Sequence, residues 1–197
     1  MNLEFPVHLL SIYKMRAYCN WLTRKEFGAD VGMCYADKEI EVRRNNLKEN
    51  VVVLEPVENH TSLTGYRLPT DWEWEYACRA DSMTRHYTGT GEKSIHLYEW
   101  IVTNSDGFGR PPALKRPNAF GLFDMLGNVS ELVGDSFVGL EGDPNVDQAT
   151  MRGVNFWNKA TPRSAKRSIF PIRVKQPYMH TAPTFRVART IKRLIES

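Results

Sequence analysis

The sequence predicts an α+β domain with little regular secondary structure, and three observations lead there. A strong helix signal at residues 70–79 stands beside a second helical pattern at 11–27. Short strand-like runs recur in the last third of the chain. Between them, from Ala80 onward, the chain breaks repeatedly at Gly, Pro, Asn and Asp, which marks long structured loops. Five Trp, eight Tyr and nine Phe supply the large side chains that fill space between short elements. At 197 residues and 42% hydrophobic content the chain reads as a single domain over 1–190 with a tail at 191–197.

In order along the chain, Ser11 to Phe27 carries Met15, Tyr18, Cys19 and Leu22 at helical spacing, with Gly28 as the stop. Residues 30–60 are weakly patterned. Arg43 to Asn50 reads as a solvated turn between two strands, the second containing Val51-Val-Val-Leu. Thr70-Asp-Trp-Glu73 is a capping box, and Trp74, Ala77 and Cys78 form the apolar stripe behind it. Strands are expected near Met151–Trp157, Arg163–Ser168 and Thr184–Thr190, and a helical turn in the tail.

Charge is distributed unevenly. Residues 151–197 hold eleven Lys/Arg and one acid, Glu196, a balance of +10; the whole-chain +3 therefore leaves −7 on residues 1–150. Pairing of late arginines with earlier carboxylates accounts for this more simply than a nucleic-acid surface, because the cations are dispersed and no nucleic-acid motif accompanies them. No apolar run is long enough for a membrane span. With no leader pattern and three unpaired cysteines, Cys19, Cys34 and Cys78, the expected setting is cytoplasmic.

Six blocks occur in a telling order: Ser11-Ile-Tyr-Lys-Met-Arg-Ala-Tyr-Cys-Asn-Trp-Leu22, Tyr66-Arg-Leu-Pro-Thr-Asp-Trp-Glu-Trp-Glu75, Asn118-Ala-Phe-Gly-Leu-Phe-Asp-Met-Leu-Gly-Asn-Val129, Arg152-Gly-Val-Asn-Phe-Trp157, Arg163-Ser-Ala-Lys-Arg167 and Thr184-Phe-Arg-Val-Ala-Arg189. Together they resemble the formylglycine-generating-enzyme family of sulfatase-modifying-factor domains, a variant of the C-type-lectin-like fold. The resemblance runs from about Phe5 to Thr190. Relative to typical members the front is shortened by some strands, which implies an exposed sheet edge covered by a protein partner or a second copy.

The family enzyme is expected to oxidise a sulfatase cysteine through a cysteine-pair copper(I) site after the Arg152–Trp157 block. Here that stretch reads Asn158-Lys-Ala-Thr-Pro-Arg-Ser-Ala165, without sulfur. Copper(I) needs soft thiolate ligands, so no copper is expected and no catalytic or cofactor-binding residue is assigned. The family's other chemistry, iron-dependent sulfoxide synthesis, draws on clustered histidines, whereas His8, His60, His86, His96 and His180 are scattered and read as surface or loop residues. The resemblance does imply a structural calcium, held by Asp124 and Glu131 side chains with the Gly127 and Val129 carbonyls; the alternative is that both acids cap turns or pair with the basic C-terminal strands. Glu73 and Glu75 read as capping and Arg-pairing groups. The functional expectation is a non-catalytic binding or scaffolding module in a larger assembly, with a family enzyme or enzyme accessory as the alternative. Contact surfaces are expected at loop 84–112, Phe170–Pro183 and the apolar tail.

Overall fold

The computed structural model describes residues 5–7, 10–28, 31–44, 47–89, 92–135, 148–159, 162–171 and 183–191. Its elements are α1 (Ile12–Phe27), β1 (Tyr35–Arg44), β2 (Leu47–Pro56), β3 (Tyr66–Arg67), α2 (Asp71–Arg79), α3 (Glu92–Ile95), β4 (Glu131–Leu132), β5 (Gln148–Arg152), β6 (Arg167–Pro171), β7 (Thr184–Phe185) and β8 (Ala188–Arg189). Two compact units share them: Met1–Leu10 with Pro69–Arg186, and Ser11–Leu68 with Val187–Ser197.

In the unit built on Ser11–Leu68, α1 starts where the Ser11 hydroxyl accepts from the Lys14 N–H and ends at Gly28, whose φ of 81° suits glycine. Its buried face is Ile12, Met15, Arg16, Cys19, Asn20 and Thr23. Tyr18, expected on that face, is exposed, and Leu22 is only half-buried. The three polar members of that buried face sit inside because partners receive their heads: Thr23 Oγ1 donates to Cys19 O, and Glu55 pairs with Arg16. Arg16 donates to Leu54 O at 2.7 Å and Asn20 to Tyr35 O at 3.0 Å. Apolar spacing alone could not reveal this.

The weakly patterned stretch folds as an antiparallel hairpin, β1 against β2, running from Tyr35↔Pro56 to Arg44↔Leu47. Gly65 approaches Gly32 so closely that a Cβ would fall 2.1 Å from the Gly32 carbonyl oxygen. That contact places β3 for its antiparallel pairing with β8.

In the other unit, α2 has the expected capping box: Thr70 Oγ1 accepts from Glu73 N at 3.2 Å, and Glu73 Oε2 accepts from Thr70 N at 2.8 Å. Such a cap contributes about 1 kcal/mol. The stripe behind it buries Trp74 and Cys78 against Met125, Leu126 and Val133, with Ala77 at the rim. A four-stranded sheet follows in the order β6-β5-β4-β7. β4 pairs antiparallel with β5 and parallel with β7. β4 was not legible, being two residues long. β5 and β6 lie a few residues from the expected ranges, and Thr184–Thr190 forms two short strands rather than one. Most of the expected Phe170–Pro183 surface, and the tail beyond Ile191, lie outside the described residues.

Candidate functional site

The Asn118–Leu132 segment is held by side-chain amides that imitate backbone. Asn118 Oδ1 accepts from the N–H groups of Phe120 and Leu122 while its Nδ2 donates to Ala77 O at 2.7 Å, fastening the loop to α2. Asn128 exchanges hydrogen bonds with Arg110: its Oδ1 accepts from Arg110 N, and its Nδ2 donates to Arg110 O, each at 2.9 Å. Asp124 and Asn128 take positive φ values of 55° and 64°, which these short polar side chains tolerate better than most.

From Asp124 to Val129 the chain bends repeatedly, and alternate carbonyls are engaged. Those of Leu126, Asn128 and Ser130 accept from the N–H groups of Val154, Phe156 and Thr184. The intervening residues Gly127 and Val129 line a cleft of about 450 Å³ together with Asp124, Glu131 and Arg186. All four sequence-nominated residues therefore come to one place. Apolar walls come from Pro112, Leu122, Phe123 and Phe185.

Their chemistry differs. Asp124 Oδ2 accepts from Ala113 N at 2.9 Å, but Oδ1 is buried with no hydrogen-bond partner among the described residues. Burial pushes the Asp124 carboxyl up, and the nearby Glu131 charge adds to this, against the Ala113 N–H. Glu131 is 6% exposed, and its charge is met by Arg186: Nε donates to Oε2 and Nη2 to Oε1, with Trp74 Nε1 also donating to Oε2 at 2.7 Å. So Glu131 pairs with a late arginine, the alternative weighed from sequence, and keeps one lone-pair direction on Oε1. Oxygen donors of this kind suit a hard cation rather than a soft one. An orphaned carboxylate oxygen, two carbonyls and the remaining Glu131 capacity would hold it. Among the described residues no three His, Cys, Asp or Glu side chains converge as a metal site, so backbone oxygens would have to complete it.

Directly behind this loop lies a carboxyl that sequence reasoning passed over. Glu99 is fully buried; Oε1 accepts from Leu126 N at 2.9 Å and from the Tyr87 hydroxyl, while Oε2 has no hydrogen bond of good geometry among the described residues. Burial pushes its pKa up to about 8. An acid flanked by Tyr98 and Trp100 is the only trace it leaves in the sequence.

The late arginines find the early acids, as the charge asymmetry suggested. Arg152, fully buried, donates to Asp71 Oδ1 and to Glu75 Oε2 at 3.0 Å. Arg167 reaches the same two carboxylates, and Arg79 holds Glu75 Oε1 at 2.8 Å. Burial raises the carboxyls of Asp71 and Glu75, but their arginines outweigh it and hold both below the usual range. The three cysteines are free and each is fully buried. Burial pushes the Cys19 and Cys78 thiols up to about 12. His86, expected in a surface or loop setting, is a loop residue but buried, at 1% exposure.

Short strands joined by long, side-chain-stapled loops are the mark of the C-type-lectin-like, formylglycine-generating-enzyme-like α+β fold. The chain belongs to the sulfatase-modifying factor enzyme 1-like domain family, which it matches over residues 2–191. It is 26% identical over 145 residues to Chaperone protein LppX of Paenibacillus barcinonensis, covering 65% of this chain and 51% of that protein. It is 37% identical over 83 residues to the formylglycine-generating enzyme of Bos taurus, covering 36% and 22% respectively. The Mycobacterium tuberculosis enzyme is 37% identical over 84 residues, covering 37% and 28%. The chain thus spans about half the length of LppX and less than a third of these enzymes. In fold it resembles Treponema denticola variable protein 1 (TM-score 0.70, 22% identity, 96% of this chain and 72% of that one) and CarF (0.67, 20%, 96% and 69%).

Proposed function

We propose that this chain is a non-catalytic member of its family, a binding or scaffolding module within a larger protein assembly. One observation carries the reading: the chain has no cysteine after Cys78, and the three it has are unpaired and fully buried. Thiols at that depth, two of them with pKa about 12, offer copper(I) no accessible thiolate ligands at neutral pH. Reduced, unpaired cysteines also suit the cytoplasm. No described helix is long and apolar enough to cross a membrane.

A protein partner or second copy is the binding target we favour over nucleic acid. The β1–β2 ladder pairs with no other strand among the described residues, leaving main-chain groups on its edges to pair with another chain. In the cleft, Asp124, Gly127, Val129 and Glu131 would hold a structural calcium, which would supply a fixed charge that organises the loop. The reading is supported by the buried Asp124 Oδ1, which has no hydrogen-bond partner among the described residues, and by Gly127, Val129 and Glu131 lining the same cleft. Calcium should raise the melting temperature of the chain, and Asp124→Asn should abolish that response.

The decisive experiment offers the purified chain copper(I), oxygen and a sulfatase-type cysteine peptide while identifying what co-purifies with it from its native source. A stable protein partner without turnover is the expected result. Oxygen-dependent conversion of the peptide would overturn the reading.

A further inference from the structure

Arg85, Arg163 and Lys166 form a compact basic locus on two adjoining turns. The Ser164 N–H donates to Arg85 O at 3.2 Å, and the Lys166 N–H to Arg163 O at 3.0 Å, so the three backbones are tied together. Arg152 braces the same turn from below, donating through Nη1 to Ser164 O at 3.1 Å and Lys166 O at 3.5 Å. The turn is therefore held in place before any partner arrives.

The charge here is not compensated. The neighbouring network is balanced: Asp71 and Glu75 are shared among Arg79, Arg152 and Arg167, and the Asp135 carboxylate accepts from Asp71 N at 2.6 Å. Arg85, Arg163 and Lys166 therefore stand as three added positive charges and form no ion pair with any described residue. Arg85 and Arg163 are exposed, and the half-buried Lys166 ammonium is held below its ordinary pKa by desolvation and then by Arg163. An ammonium partly stripped of water beside a guanidinium is an arrangement that an arriving anion relieves.

We propose that this locus is the docking point for an acidic segment of a partner protein. The inference rests on the binding-module reading and gives its partner a chemistry. The sequence carries no nucleic-acid-binding motif, and its cations are dispersed along the chain.

The test is fluorescence anisotropy of a dye-labelled oligoglutamate peptide with the full chain at low salt. Saturable binding is expected, weakened about tenfold by Arg163→Glu with Lys166→Glu and unchanged by Lys38→Glu, an exposed charge in the other unit. Should the double variant lose stability, Arg85→Gln is expected to weaken binding about twofold to threefold on its own. No saturable binding, an effect no larger than that of Lys38→Glu, or no effect of Arg85→Gln overturns the proposal. So does tighter binding of oligothymidylate through the same residues. Turnover on a cysteine peptide would remove the binding-module reading without touching the anisotropy result, so the two failures stay separate.

Discussion

Replacing Glu99 with Gln should stabilise the chain above neutral pH and leave it little changed near pH 5. The carboxyl is fully buried, with Leu126 N–H and the Tyr87 hydroxyl on one oxygen and the Gly127 backbone beside it, while Oε2 has no hydrogen bond of good geometry among the described residues. Its pKa rises from an ordinary 4.5 to about 8, burial being the main cause. The folded chain therefore binds one more proton than the unfolded chain between those values. The stability this supplies is complete below about pH 4.5 and is lost as pH rises through about 8. At ~1.4 kcal/mol per pH unit the whole loss is of order 5 kcal/mol, about half of a typical domain's stability. Gln keeps the acceptor for both donors and cannot ionise, so its slope across this window should vanish. Urea unfolding at intervals from pH 5 to 9, on both proteins, reads the difference directly. Below pH 4 both should weaken together, because Asp71 and Glu75 are held below the usual range and lose their contribution as pH falls through those lowered values. Parallel curves for the two proteins between pH 5 and 8 would refute the argument.

Three further outcomes follow from other parts of the structure. Arg152→Met strands Asp71 and Glu75 with one arginine fewer and removes the brace under Ser164, so urea unfolding should show a loss of about 3–5 kcal/mol; a loss under 1 kcal/mol would mean the network is dispensable. Gly127→Ala puts a Cβ 2.4 Å from the Trp100 carbonyl oxygen and 3.1 Å from Glu99 Oε2, so the loop must shift, at about 1–3 kcal/mol by thermal or urea unfolding. The three buried thiols should be silent to a disulfide reagent at pH 8 and react fully in urea. Fast labelling of the folded chain would contradict their burial.

Much of this protein is local, and local features were readable from sequence. The Thr70–Glu73 cap is written in four consecutive residues, and Ser11 and Gly28 bracket α1 in the same way. The Asp124–Glu131 segment was nominated as one loop, and Asp124, Gly127, Val129 and Glu131 do line one cleft, because these neighbours in sequence sit on a single bent loop. The charge asymmetry correctly anticipated that Arg152, Arg167 and Arg186 would meet earlier acids.

Which acid each arginine meets was beyond the sequence, since those pairs are separated by 55 to 96 residues. The same holds for the inward turn of Arg16 and Asn20, decided by carbonyls on strands that composition barely marked. Glu99 is the clearest case. Nothing in Tyr98-Glu-Trp distinguishes a solvated loop carboxylate from a buried one, because desolvation depends on what the rest of the chain packs around it. Chain order thus determined the caps, the turns and the loop that could hold a ligand. Tertiary packing alone decided which charges lost their water, and that loss sets the chemistry each can offer.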